Sequence, residues 1–229
     1  MNKRLVVSVA FVVLVVVVAI SFSSYQANLL EMHDKTKYLE KIASKQSSLV
    51  NLENGSPPLG SESAPVTIVE FGDYQCEACY YWFHNTRSAL IDNYIETGKA
   101  KLVFVDLPFL GRDSPTAAQA SYCAEDQGKY WEYHTILYTF QNGPPDSGWA
   151  DRDRLNSFAF SLDMNVDEFN ECMDSSKYLQ RVKANYNEAV KNDAQSTPTF
   201  IIIAQDGTTE KFAGAQPYSV FAATIESML

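Results

Sequence analysis

The sequence predicts an α/β domain, and three observations lead to this prediction. An apolar strand, Val66–Phe71, runs directly into a helix that carries a C-x-x-C pair, and a second apolar strand follows that helix. Residues 114–195 contain helical patterns and no strand pattern. Two short strands and an amphipathic helix come next. The predicted order is therefore βαβ, an all-helical insertion, and ββα.

The composition is that of a folded, acidic protein. The 229 residues are 46% hydrophobic and 13% aromatic, which is sufficient for a substantial core. The formal net charge at pH 7 is −10. Nucleic-acid binding and a basic membrane-binding surface both require clustered Lys and Arg, so this charge argues against both classes.

Residues 1–23 are predicted to anchor the protein in the cell membrane. An apolar run, Leu5–Phe22, follows Lys3 and Arg4 and has no A-x-A cleavage pattern. These features favour an uncleaved anchor, and cleavage near Ser21–Ser24 with secretion of the rest is the alternative. The positive-inside rule places the first residues in the cytoplasm and the remainder in an extracytoplasmic, oxidising compartment. The four cysteines can persist there as disulfides.

Residues 24–58 are predicted to form a helical stalk and a linker. Thr36 and Gln46 interrupt the thin apolar stripe of the stalk, so a coiled-coil dimer is disfavoured and we expect a monomer. The run Asn54–Ser63 is rich in Gly, Pro and Ser, which is typical of a linker. Residues 59–229 then form the folded domain. The apolar positions of the stripe are Leu29, Met32, Leu39, Ile42, Ala43 and Val50.

The C-x-x-C pair lies where a strand turns into a helix. Gly72 and Asp73 form the turn, and the helix begins at Cys76. The free N–H groups and the dipole of a helix N-terminus favour an anion, so the pKa of Cys76 is expected below its usual value of about 8.5. Cys79 lies one turn further along the same face, close enough for a disulfide. We predict that Cys76 attacks and Cys79 resolves.

A zinc site and a purely structural disulfide are the alternatives to redox chemistry at this pair. A zinc site needs two more ligands at short spacing, whereas Cys123 and Cys172 are distant in sequence and His84 is the one nearby imidazole. A purely structural disulfide is the second alternative. The strand–turn–helix context favours a redox site over both.

The remaining elements follow the same periodic patterns. The motif helix is expected to end at Gly98, which makes the strand Lys101–Asp106 parallel to the first strand. A proline-rich loop, Asn142–Gly148, divides the insertion. The predicted helices of the insertion are 114–138, 151–162, 166–173 and 178–192, and the last elements are a hairpin of 199–204 with 210–213 and a helix at 218–229.

Four stretches of the sequence resemble the DsbA-like thiol-disulfide oxidoreductases. They are Glu70–Cys79, Ala124–His134, Ser196–Phe200 and Gly214–Tyr218. The similar region extends from about residue 59 to residue 229. This resemblance implies a thioredoxin fold interrupted by the helical insertion, and protein-disulfide oxidoreductase activity that needs no organic cofactor.

The resemblance also implies roles for three further residues. In thioredoxin-like proteins the proline matching Pro198 is cis and faces the cysteine pair, which leaves the backbone of Thr197 free to pair with an extended substrate. An ordinary strand-initiating proline is the alternative. The family carries a buried acidic residue at the position of Glu70, thought to move protons for Cys79. The alternative is that Glu70 points to solvent.

The dipeptide between the cysteines departs from the family pattern. It is Glu77–Ala78, where strongly oxidising members have Pro-His. An acidic neighbour disfavours the Cys76 thiolate, and a histidine would favour it. The pKa of Cys76 is therefore expected to lie above that of the strongest oxidants, which is about 3.5.

These observations predict an extracytoplasmic oxidoreductase that introduces disulfides into secreted proteins. Its expected partners are secreted proteins that contain cysteines and are still folding, and a membrane redox partner that reoxidises the cysteine pair. A disulfide isomerase or reductase is the alternative within the same class. A non-catalytic substrate-binding or chaperone module is the alternative from another class, and the intact Cys76–Cys79 pair with Thr197–Pro198 argues against it.

Cys123 and Cys172 lie in the predicted insertion, outside every element that forms the active site. We expect them to form a structural disulfide, and a loop of about fifty residues contributes roughly 4 kcal/mol in the chain-entropy model. One alternative is a relay that passes electrons to the active-site pair. The other is two unpaired buried thiols.

Overall fold

The structure, a computed structural model, describes residues 25–26, 28–37 and 50–229. The predicted anchor, residues 1–23, and the second half of the predicted stalk lie outside the described residues. Residues 28–37 are helical and exposed. Within the described ranges, no helix is long and apolar enough to cross a membrane. The unit Val50–Leu229 contains the predicted domain.

A four-stranded mixed sheet forms the centre of this unit. Its strands lie in the order β2-β1-β3-β4, with β1 and β2 parallel and the other two pairs antiparallel. Phe71, near the end of β1, pairs with Thr199, the first residue of β3. This register brings the chain that follows β1 beside the chain that precedes β3. The strands are β1 Val66–Gly72, β2 Ala100–Asp106, β3 Thr199–Ala204 and β4 Thr209–Ala213.

Helix α1 connects β1 to β2 and carries the cysteine pair. It consists of four consecutive stretches, alternately α-helical and π-helical, and Gly98 with φ 73° follows its end as predicted. The other helices are α2 Asp113–Glu125, α3 Tyr130–Thr139, α4 Arg152–Ser161, α5 Val166–Asp174, α6 Leu179–Lys191 and α7 Tyr218–Met228. The stretches of α1 are Glu77–Trp82, Phe83–Arg87, Ser88–Leu90 and Ile91–Ile95.

The predicted single helix at 114–138 is two helices. Gly128 has a φ of 69°, a conformation that glycine adopts without a steric penalty. The N–H of Lys129 bonds back to the carbonyl of Ala124, which ends α2, and α3 then begins at Tyr130.

Both faces of the sheet are covered, and alternate residues of β1 face opposite layers. Val66 and Ile68 pack with residues of α1 and α7, while Val69 and Phe71 pack with Ala189 of α6. A third core, here called the insertion core, is rich in aromatic side chains and also contains Tyr74, Cys76, Cys79 and Phe104 from outside the insertion. Residue 70 therefore points into the layer beneath α1.

The predicted linker at 54–63 packs on the sheet. The N–H of Ser56 donates to the carbonyl of Phe104, and the Ser56 hydroxyl accepts from the Phe104 N–H, at 2.8 and 2.9 Å. Leu59 and Leu102 exchange two backbone hydrogen bonds. The compact unit thus begins at Val50, nine residues before the predicted boundary at 59.

Cys123 and Cys172 form a disulfide with an S–S distance of 2.01 Å. The bond joins α2 to α5 and lies within the insertion core. Among the described residues, neither Cys123 nor Cys172 shares a disulfide or a hydrogen bond with Cys76 or Cys79.

Candidate active site at the Cys76–Cys79 pair

Cys76 is the N-cap of α1. Its backbone is extended, with φ −78° and ψ 120°, and its Sγ accepts a hydrogen bond from the N–H of Cys79 at 3.4 Å. A helix N-terminus stabilises negative charge through such N–H groups. The structure therefore places Cys76 where its thiolate is favoured, as the sequence predicts.

Asp73 fixes the turn that leads into α1. One carboxylate oxygen accepts from the N–H of Gln75 at 2.8 Å, and the other accepts from the N–H groups of Phe109 and Leu110 at 3.0 and 3.1 Å. Two of these hydrogen bonds hold the turn to the loop that follows β2, and the bond from Gln75 is local to the turn. The expected turn-shaping role of Asp73 agrees with this geometry.

The loop before β3 meets the cysteine pair. The Thr197–Pro198 peptide bond is cis. The Cys76 thiol lies 3.2 Å from the carbonyl oxygen of Thr197, to which it donates. Both Thr197 and Cys76 are largely buried, at 8% and 7% exposure. The structure therefore brings together the two parts of the predicted site.

The two thiols differ in proton affinity. The pKa of Cys76 is lowered to about 6, first by a hydrogen bond with the Cys79 thiol and then by the Thr197 side chain and the N–H groups of Cys79 and Ala78, while burial opposes this shift. Burial raises the pKa of Cys79 well above its usual value, and the charges of Cys76 and Glu70 add to this effect. At neutral pH Cys76 is therefore mainly a thiolate, while Cys79 keeps its proton.

Glu70 lies in the layer beneath α1 and is 1% exposed. Neither of its carboxylate oxygens has a hydrogen-bond partner among the described residues. Burial raises its pKa to about 8, Arg87 opposes this shift, and Cys76 adds a smaller increase. The alternative that Glu70 points to solvent is therefore wrong. Because both faces of the sheet are covered, this acidic position of β1 is buried.

Arg87 is a buried residue of the site region that the sequence reasoning missed. It lies on α1 and is 8% exposed, and its charge acts on Glu70. It follows Cys76 by eleven residues, which is about three helical turns, so it lies near the same stripe of an ideal helix. The sequence does contain a signal for it, because Arg87 is a lone cation on the stripe of the motif helix that is expected to be buried.

An aromatic cluster supports the active-site turn from the insertion side. The hydroxyl of Tyr74 bonds to Nδ1 of His134 at 3.0 Å, and Tyr138 donates to the carbonyl of Asp73 at 3.3 Å. Burial lowers the pKa of His134 well below its usual value, so this imidazole is neutral. The hydrogen bond between His134 and Tyr74 thus connects the insertion to the active-site turn.

The site geometry matches known proteins. The sequence profile described as thioredoxin matches residues 53–227. The chain belongs to the thioredoxin family. Disulfide bond formation protein D of Bacillus subtilis (strain 168) is 31% identical to this thioredoxin-family chain over 202 residues, which is 86% of each protein. A probable disulfide bond formation protein D of Bacillus anthracis is 30% identical over 63% of this chain and 68% of its own length.

Solved structures agree with these relatives. Oxidised BdbD from Bacillus subtilis has a TM-score of 0.69 and 28% identity to this thioredoxin-family chain, covering 78% of it and 94% of BdbD. The fold of Wolbachia pipientis alpha-DsbA1 is also similar, with a TM-score of 0.71 at 23% identity, covering 80% and 95%. The chain is a DsbA-like thiol-disulfide oxidoreductase, and its reaction is protein-disulfide exchange. The predicted thioredoxin fold with a helical insertion is confirmed.

Proposed function

We propose that this oxidoreductase introduces disulfides into secreted proteins through Cys76 and Cys79. The observation that carries the proposal is the difference between the two thiols, since the pKa of Cys76 is lowered to about 6 and that of Cys79 is raised well above its usual value. A thiolate of low pKa is a good leaving group in disulfide exchange. Substrate attached to Cys76 is therefore released readily as a disulfide.

The proposed reaction has two exchange steps. A substrate thiolate attacks Cys76 in the oxidised pair, the Cys76–Cys79 bond breaks, and Cys79 leaves with its electron pair and takes up a proton. A second substrate thiolate then attacks the substrate sulfur of the mixed disulfide, and Cys76 leaves as a thiolate. The substrate gains a disulfide, and two electrons remain in the reduced cysteine pair.

Glu70 is proposed to supply the proton that Cys79 needs. A group with a pKa of about 8 is largely protonated at neutral pH. When Glu70 is ionised, its charge raises the pKa of Cys79, which indicates that the two groups interact electrostatically. A protonated, buried carboxyl beside a departing thiolate is suited to general acid catalysis.

Thr197 and Pro198 are proposed to bind the substrate backbone. The carbonyl of Thr197 faces Cys76 at 3.2 Å, so a chain paired with this residue would present its cysteine to the Cys76 sulfur. Pro198 has no N–H, which limits pairing to the Thr197 side.

The proposal includes location and partners. The apolar run after Lys3 and Arg4 supports an anchor that leaves the catalytic domain in an extracytoplasmic compartment. Relatives named disulfide bond formation protein D support the direction of oxidation. The reduced pair then requires a membrane redox partner that removes its two electrons.

Equilibration with glutathione buffers tests the direction of the reaction. Reference thiolate pKa values are about 7 for thioredoxin and about 3.5 for DsbA, with reduction potentials of about −270 and −120 mV. We expect a potential between these values, and oxidation of a reduced, unfolded substrate by the oxidised protein. A potential at or below that of thioredoxin would favour a reductase. Substrate binding without any thiol exchange would favour the chaperone alternative.

A further inference from the structure

A groove of about 650 Å³ lies between the second half of α1 and α3. Its walls are mainly apolar, with Ile91 and Ile95 on one side and Trp131 and Ile136 on the other. Leu59, from the segment that packs on β2, also lines it. Sites for small molecules have volumes of about 300–1,000 Å³ and mostly apolar walls, so this groove has the size and the character of a ligand site. Neither active-site cysteine lines it.

Arg87 also lines this groove and is its innermost charged residue. It is 8% exposed, whereas Glu96 and Glu132, the acidic residues of the lining, are both exposed. The guanidinium lies over the rings of Phe83 and Trp131, at 5.0 and 5.6 Å from their centres. These contacts favour the cation but satisfy none of its N–H donors.

Arg87 makes no hydrogen bond and no ion pair within the part of the chain that the structure describes, and its Nε is buried. Burying a cation without a hydrogen-bond acceptor costs more free energy than burying a neutral polar group in the same way. Glu70 is the nearby acidic group, and because its pKa is raised to about 8, it does not neutralise Arg87 at pH 7. The guanidinium therefore faces an apolar groove, and its Nε–H is buried without an acceptor among the described residues.

We propose that this groove binds a long-chain carboxylate whose acid group sits on Arg87 and whose apolar chain lies between α1 and α3. A guanidinium matches a carboxylate through two parallel N–H···O bonds, and Arg87 has the donors available. The isoleucine and tryptophan side chains of the walls match an alkyl chain. Glu96 and Glu132 at the exposed part of the groove repel a carboxylate there, which favours the orientation with the acid group inside.

The test measures ligand binding and needs no thiol exchange. The two redox cysteines of the domain are therefore left intact. Calorimetric titration compares decanoate with decanol, each below the concentration at which it forms aggregates. We expect one saturable site and at least tenfold tighter binding of decanoate. Arg87→Met should abolish this difference, and Arg112→Met, which removes a cation whose side chain is 90% exposed, should keep it.

A second variant keeps the test informative if Arg87→Met does not fold. Thr139 lies on the exposed side of α3 and lines the groove, so Thr139→Trp fills the groove without changing Arg87. This variant should weaken the binding of both ligands at least tenfold. Equal affinity for decanoate and decanol, or no saturable site, would overturn the proposal. So would an uncharged, extended peptide that displaces decanoate and binds equally well to Arg87→Met, since the occupant would then be a polypeptide.

Discussion

The thiol of Cys76 lies 3.2 Å from the carbonyl oxygen of Thr197, although 121 positions separate these residues in the sequence. The contact exists because β1 and β3 are antiparallel neighbours, so the chain leaving β1 meets the chain entering β3. The reactive sulfur and the proposed backbone-binding residue are therefore fixed to one another by the centre of the sheet. In the proposed reaction, substrate binding and chemistry therefore share one rigid support.

The two cysteines should give different trapping results. Cys79→Ser should accumulate mixed disulfides with a disulfide-containing substrate, because the Cys76 thiolate opens the substrate bond and no resolving thiol then releases it, while Cys76→Ser should trap none and lose exchange activity. Non-reducing electrophoresis with mass spectrometry measures the adducts. Equal trapping by both variants would contradict the assigned roles.

Replacing Glu70 with glutamine should slow the protonation of Cys79. General acid catalysis typically contributes 10²–10⁴-fold, so we expect the Glu70→Gln variant to be about 10²-fold slower in rapid-mixing oxidation of a model dithiol. The advantage of the wild type should decrease as the pH rises through about 8, where Glu70 loses its proton. Thr67→Val, on the same strand, is the control. A rate ratio independent of pH would show that Glu70 is structural.

The same carboxyl should make the folded state less stable at high pH. Burial raises the pKa of Glu70 from 4.5 to about 8, so between these values the folded state holds a proton that the unfolded state releases. The free energy of unfolding should therefore fall as the pH rises through this range, at up to about 1.4 kcal/mol per pH unit from this group. Denaturant titrations of wild type and Glu70→Gln measure the difference. Parallel pH profiles would contradict the raised pKa.

The dipeptide should tune the thiolate of Cys76. Glu77 is exposed, so its charge is screened, and Glu77→His should lower the pKa of Cys76 below its present value of about 6. Glu77→Gln removes the negative charge without adding a positive one and should have the smaller effect. Ultraviolet thiolate absorbance against pH measures both. Identical titration curves for all three proteins would mean that the dipeptide has no influence.

The disulfide of the insertion should resist mild reductant that already opens the active-site pair. Replacing both Cys123 and Cys172 with alanine should lower the free energy of unfolding by up to about 4 kcal/mol and leave the pKa of Cys76 unchanged. Mass mapping after partial reduction gives the order of opening. Release of these cysteines before or together with Cys76 and Cys79 would favour the relay.

Local patterns were sufficient for the strands, the cysteine pair and the end of α1 at Gly98, because periodicity, capping and turn preference are properties of neighbouring residues. They did not predict that Ser56 and Leu59 bind β2. The composition around them is that of a linker, and their backbone partners lie more than forty positions away. Arg87 was missed for the same reason, since its charge matters only after folding places it near Glu70.

The segment on β2 also has a consequence for the exposed edges of the sheet. A free strand edge invites pairing with any extended polypeptide and is a starting point for aggregation. Ser56 and Leu59 occupy backbone groups on the outer edge of β2. At the opposite edge β4 is short and exposes Glu210 and Lys211, charges that discourage a further strand. Pairing with extended chains of other molecules is thus resisted at both edges of the sheet, while the backbone of Thr197 stays beside the Cys76 sulfur.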